Sequence, residues 1–151
     1  MQFFAGIASA ILGASFTLAA PPVDIGGINE YVKVSDLEIS RAAFGKVTDI
    51  SFKISGDNAT NLACSAQNPT LGYEVADSTR CGDSDYLFNL LRGEDTDYAL
   101  AVFHEFHVDG SGTYSAGQYG QEELLVDCET NGNVQNCKST QSPITITLTG
   151  Q

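Results

Sequence analysis

The chain has only two imidazoles, three residues apart in His104-Glu105-Phe106-His107. Metalloprotease helices set two histidines four apart on one face, with a glutamate between them. Here the surrounding residues alternate as in a strand, where positions three apart face opposite sides. The expected arrangement is a packed His104 and a surface His107, with no shared metal. Gly82-Asp83-Ser84 begins like the serine motif of trypsin-type proteases, but Asp85 stands where that motif has glycine, and the chain is too short for that fold. Gly-x-Ser-x-Gly does not occur, so a serine nucleophile would rest on three-dimensional geometry alone. Asp83-Ser84-Asp85 and Asp95-Thr96-Asp97 offer close carboxylates, but neither continues into the oxygen ligands and glycine of an EF-hand loop. With a net charge of −12, neighbouring carboxylates are expected by chance, so they do not point to glycosidase chemistry either. No metal, cofactor or catalytic residue is expected.

The four cysteines, Cys64, Cys81, Cys128 and Cys137, carry more specific chemistry. An even count in a small secreted chain reads as disulfides, and four cysteines allow three pairings. The nearest-neighbour pairing, Cys64–Cys81 and Cys128–Cys137, closes two short loops without crossing the chain. Loops of this size each contribute on the order of 3 kcal/mol in the chain-entropy model. Zinc is the rival use of cysteine, but it favours Cys-x2-4-Cys clusters, which neither spacing matches. One further modification is readable. Asn58-Ala59-Thr60 is the single N-glycosylation sequon, placing Asn58 in a turn where a glycan would be tolerated.

Secretion is read from the first twenty residues, which contain no charged side chain. The apolar stretch from Phe3 is long enough to span a membrane. Its position, its Ala, Gly and Ser content and the missing basic stop-transfer flank favour a signal peptide, although the n-region has no Lys or Arg. Small residues at Thr17 and Ala19 suit cleavage after Ala19; cleavage after Ala20 would leave proline first. Residues 1–19 are thus expected to be a signal peptide, 20–30 a flexible lead-in holding Pro21, Pro22, Gly26 and Gly27, and 31–151 one domain. Its acidity excludes a basic groove for nucleic acid and opposes anionic membrane surfaces, so neither is expected as a partner of the mature form.

The elements that position these residues read as strands. Ile50, Phe52 and Ile54 alternate with Ser51, Lys53 and Ser55, giving one buried and one wet face. Gly56-Asp57-Asn58 turns the chain into Leu62–Ala66, which carries Cys64. Tyr86, Phe88 and Leu90 share a face, and Tyr98, Leu100, Val102, Phe106 and Val108 share another with His104. Short strands are also expected over 31–39, 71–75 and 122–128, and strand or loop over 113–119. Asn131-Gly132-Asn133 is a hairpin turn, and Ile144, Ile146 and Leu148 mark a closing strand after Pro143. Some eight to ten short strands, without a helical period, indicate an all-β domain: a small antiparallel β-barrel or, alternatively, a β-sandwich.

Tyr31-Val32-Lys33-Val34-Ser35, Ile50-Ser51-Phe52-Lys53-Ile54, Leu62-Ala63-Cys64-Ser65-Ala66-Gln67, Arg80-Cys81-Gly82 and the Cys128/Cys137 pair together resemble the fungal family of the Alternaria major allergen. That family also includes secreted elicitors of plant defence. Cys-Ser-Ala-Gln and Cys-Gly, with their spacing, are the most specific parts; the later half matches mainly in cysteines and strand pattern. The resemblance implies a small fungal β-barrel with the two disulfides paired as above. It implies an extracellular or cell-wall location, no enzymatic activity, and an effector- or allergen-like role toward a host extracellular protein. The founding allergen has an additional N-terminal cysteine that joins two chains. This sequence has none between Ala20 and Ala63, so no disulfide-linked dimer is expected. Two other function classes remain open: a barrel binding a small apolar, flavonoid-type ligand, and a small secreted hydrolase. A large apolar cavity would mark the first, and a cleft joining His104 or a carboxylate pair to a nucleophile the second.

Overall fold

The structure is a computed structural model that describes residues 29–42, 45–75, 77–107 and 115–150. The expected signal peptide, its cleavage sites at Ala19 and Ala20, and most of the lead-in lie outside the described residues. The described residues form ten strands: β1 (Glu30–Ala42), β2 (Val47–Gly56), β3 (Ala59–Gln67), β4 (Thr79–Arg80), β5 (Tyr86–Leu91), β6 (Tyr98–His107), β7 (Ser115–Leu124), β8 (Val126–Asn131), β9 (Val134–Ser139) and β10 (Ile144–Gly150).

Every strand pairing is antiparallel. The main path runs β3-β2-β1-β10-β7-β6-β5-β4 and curls into a nearly closed barrel. β1 is long enough to serve two neighbours along one edge. Its first half pairs with β10, from Glu30 opposite Leu148 to Val34 opposite Ile144. Its second half pairs with β9, from Glu38 opposite Lys138 to Ala42 opposite Val134. The β8–β9 hairpin therefore extends the sheet at the far end of β1.

Period-two alternation fills the barrel. Val32 and Val34 from β1, Ile50, Phe52 and Ile54 from β2, and Ile144, Ile146 and Leu148 from β10 are buried in one cluster. Tyr86, Phe88 and Leu90 of β5 and Tyr98, Leu100 and Val102 of β6 complete it, so side chains occupy the interior. Phe52 and Phe88 meet edge to face, 4.8 Å between centroids. In β1 the alternation breaks, since Val34 and Leu37 both face the core. A register shift between Ser35 and Glu38 and a left-handed Asp36 (φ 53°) mark a bulge that reverses the strand's facing.

Both disulfides form as the nearest-neighbour pairing has them. Cys64 and Cys81 lie 4.5 Å apart at Cα, and Cys128 and Cys137 lie 3.9 Å apart. The first joins β3 to the residue after β4, which are the two ends of the main path, so it bridges the seam of the barrel.

Three local expectations change. Residues 71–75 form no strand. Pro69 and Gly72 break a short apolar run there; Leu71 packs against the core, and the segment meets the sheet through an isolated bridge, Gly72 to Leu91. Asn89 fixes the end of this segment by donating to the Asp77 carbonyl (3.1 Å) and accepting from the Ser78 hydroxyl (2.6 Å). The expected strand over 122–128 is divided at Leu125, whose carbonyl accepts from both the backbone and the hydroxyl of Thr140. Finally, Glu30 belongs to β1 and not to the lead-in.

Candidate functional site

Extending the alternation of β1 one step back from Val32 places Glu30 inside the barrel, where it is only 2% exposed. A buried carboxylate is costly unless it is paired and hydrogen-bonded, and three donors meet this one. His104 Nδ1 lies 2.6 Å from Oε2. The Tyr86 hydroxyl donates to Oε1 in a short hydrogen bond. The Asp57 backbone N–H donates to the same oxygen at 2.9 Å. With the carboxylate as acceptor, Nδ1 of His104 carries the proton.

The sheet assembles this group from four elements. Tyr86 and His104 are direct cross-strand partners on β5 and β6, so their rings stack at 4.1 Å, 15° from parallel. Gln118 is opposite His104 on β7 and is also buried. From the other side comes the β2–β3 turn, whose Asn58 N–H donates to the Tyr86 oxygen at 3.3 Å. Gly56 makes this approach possible, because a Cβ there would overlap Glu30 Oε1 and the Tyr86 hydroxyl. Burial, and then the hydrogen bond to Glu30, push the Tyr86 phenol well above the usual tyrosine range.

A phenol held in its protonated form is a donor and not a nucleophile. The nearby alcohol, Ser84, is committed to the backbone: its Oγ donates to the Cys81 carbonyl (2.7 Å) and accepts from the Tyr86 N–H (3.2 Å). All four thiols are in disulfides, which removes thiolate chemistry and thiolate zinc binding together. Glu30, Tyr86 and His104 tie the start of β1, the β2–β3 turn, β5 and β6 to one another.

The other sequence candidates lie elsewhere. The side chain of His107 is outside the described residues. Asp85 pairs with Arg80 at 3.5 Å, and Arg80 also reaches Glu105 at 3.0 Å. In the 92–97 turn, Glu123 accepts from the Thr96 hydroxyl and, at 2.9 Å, from the Glu94 N–H. These bonds, the Thr96 one first, hold its carboxyl below the usual range. The turn thus binds a carboxylate of its own chain. Asn58 is exposed at the tip of the β2–β3 turn. Along β6 and β7 lies an open depression of about 230 Å³, lined by Phe103, His104, Glu105, Ala116, Gly117, Gln118 and Tyr119.

Sequence reasoning found His104 as a packed residue but missed its partner Glu30. The available signal was parity: Glu30, Val32 and Val34 occupy alternate positions.

Comparison with known proteins agrees with this architecture. The model of the Alternaria alternata allergen 1 family matches residues 30–142. The effector protein PevD1 of Verticillium dahliae is 34% identical over 155 residues, covering 98% of this chain and 94% of that protein. Two crystal structures of the Alternaria alternata major allergen Alt a 1 share the fold. One superimposes with a TM-score of 0.57 at 19% identity over 87% of this chain and 95% of the allergen chain. The other gives 0.56 at 20% identity over 80% and 94%. By its cysteine framework, its strand order and these matches, the chain belongs to the Alternaria alternata allergen 1 family.

Proposed function

We propose that the mature chain is a secreted, non-enzymatic interaction protein of the effector type, acting through its outer surface on a host extracellular protein. The observation that carries this reading is the state of the polar groups inside the barrel. Glu30, Tyr86 and His104 are buried and bonded to one another, and among the described residues no buried side-chain polar atom lacks a partner. Nothing in that group is poised to act on a substrate. Membership of a family with an allergen, and similarity to a protein named as an effector, support an outward-acting role. The filled interior supports the interaction reading over an internal small-molecule carrier.

The same reading includes an N-terminal leader over 1–19, removed after Ala19 in preference to Ala20, and an extracellular or cell-wall destination. It also includes a mature form without a disulfide-linked dimer, supported by the use of all four cysteines within the chain.

The test is infiltration of purified mature protein into leaf tissue, with a reduced, unfolded sample as control, alongside a hydrolase panel. Defence signalling or cell death should follow the folded protein only. A folded protein that leaves tissue indifferent would overturn the effector reading. A hydrolase activity lost in His104→Ala while the melting curve stays unchanged would overturn the non-enzymatic one.

A further inference from the structure

We propose that Asn58 is an N-glycosylation site and that its glycan covers the end of the barrel at the β2–β3 turn. The proposal rests on the secretory reading above, because the modification is made as the chain enters the secretory route.

Three observations carry it. First, Asn58-Ala59-Thr60 has the required hydroxyl residue and a middle residue other than proline. Second, Asn58 and Thr60 are both exposed, on a turn where β2 and β3 are joined by Asp57 and Asn58 alone. Third, the turn is held from beneath and left open above. The Asp57 and Asn58 N–H groups are anchored to Glu30 and Tyr86, while the Asn58 carboxamide and the Thr60 hydroxyl make no hydrogen bond among the described residues. A sugar on Nδ2 would therefore displace no native contact. The chain supplies its own control in Asn68-Pro69-Thr70, where proline at the middle position blocks the same motif.

The co-reactant is a lipid pyrophosphate-linked oligosaccharide. Nδ2 of Asn58 attacks the anomeric carbon, the bond from that carbon to the pyrophosphate oxygen breaks, and Nδ2 loses one proton. The lipid pyrophosphate leaves with the bonding pair, and nothing is oxidised or reduced. Transfer precedes closure of the hairpin, and the folded turn then keeps the glycan in solvent.

The experiment is expression of the full chain with its own leader in a fungal secretory host, collecting medium and cells separately. Peptide:N-glycosidase treatment should raise gel mobility and convert the Asn58 carboxamide to a carboxylate, read by mass spectrometry on the tryptic peptide 54–80. Asn58→Gln and Thr60→Ala should migrate like the treated protein, Thr60→Ser should keep the glycan, and Asn68→Gln should change nothing. Wild-type protein in the medium with an unmodified 54–80 peptide would overturn the glycan and leave secretion standing. A glycosylated chain retained in cells would overturn secretion and leave the glycan standing. An unmodified, retained chain would overturn both. The wild-type protein alone decides among these outcomes, so none depends on a variant folding.

Discussion

The two disulfides are the same bond in two different settings. Cys64–Cys81 joins the two ends of an eight-strand path, with both cysteines buried. Cys128–Cys137 joins residues that already sit opposite each other in the β8–β9 ladder, where six register pairs hold the strands together. Chain entropy scarcely separates them: loops of 17 and 9 residues both give about 3 kcal/mol. The folded state does separate them. At the seam, β4 is two residues long and pairs with β5 alone. A covalent bond contributes most where the backbone ladder has run out.

Removing each bridge tests that difference. Cys64→Ala/Cys81→Ala should lower stability by about 4 kcal/mol, and Cys128→Ala/Cys137→Ala by about 2 kcal/mol. Denaturant unfolding of the two double variants gives both values. Equal losses would mean that loop entropy alone sets the contribution and that the seam has no special role.

The polar groups at the two ends of β1 sharpen the contrast. At its start, Glu30 is enclosed with His104 and Tyr86. At its far end, Glu38 pairs with Lys138 in the open, at 2.9 Å. Removing one partner from the enclosed group strands the other, so His104→Ala should cost about 3 kcal/mol. Removing the exposed acid at the far end, as in Glu38→Ala, should stay within about 0.5 kcal/mol. Thermal melts of both variants check this. A small loss for His104→Ala would show that water can replace the imidazole and that the group is less enclosed than its burial indicates.

Much of the fold was legible because Ile50–Ile54 of β2 and Ile144–Leu148 of β10 each carry an unbroken period of two, which assigns their faces without knowledge of the neighbours. The site was only half legible, for the opposite reason. His104 sits among apolar residues of its own strand, so its burial is a local fact. Glu30 follows a glycine-containing stretch, and its burial is explained by partners 56 and 74 residues away. Gly56 read only as the start of a turn, although its missing side chain is what admits the carboxylate. The bulge at Asp36 was hidden because Asp-Leu-Glu shows no glycine to announce a left-handed residue. The seam role of Cys64–Cys81 depends on strand order, which periodicity does not encode.

A loss between those of His104→Ala and Glu38→Ala is expected from Tyr86→Phe, which keeps the ring stacked on His104 and removes only the hydroxyl. That hydroxyl donates to Glu30 and accepts from the Asn58 N–H, yet Glu30 retains His104 and the Asp57 N–H. At neutral pH the loss should be about 1 kcal/mol. Its pH dependence is more telling. The folded-state pKa of Tyr86 is raised by burial and by Glu30, whereas an unfolded tyrosine titrates near about 10. Above that value the unfolded chain releases the proton first, so the folded state binds more protons and stability falls as pH rises. The contribution is complete below the unfolded pKa and is lost between it and the raised folded value. Wild-type protein should therefore lose stability steeply above about pH 10, and Tyr86→Phe should show a shallower alkaline limb. The two curves should converge as pH climbs. Parallel curves across that range would mean that the hydroxyl meets water in the folded state, and the enclosed end of the barrel would then resemble the open one.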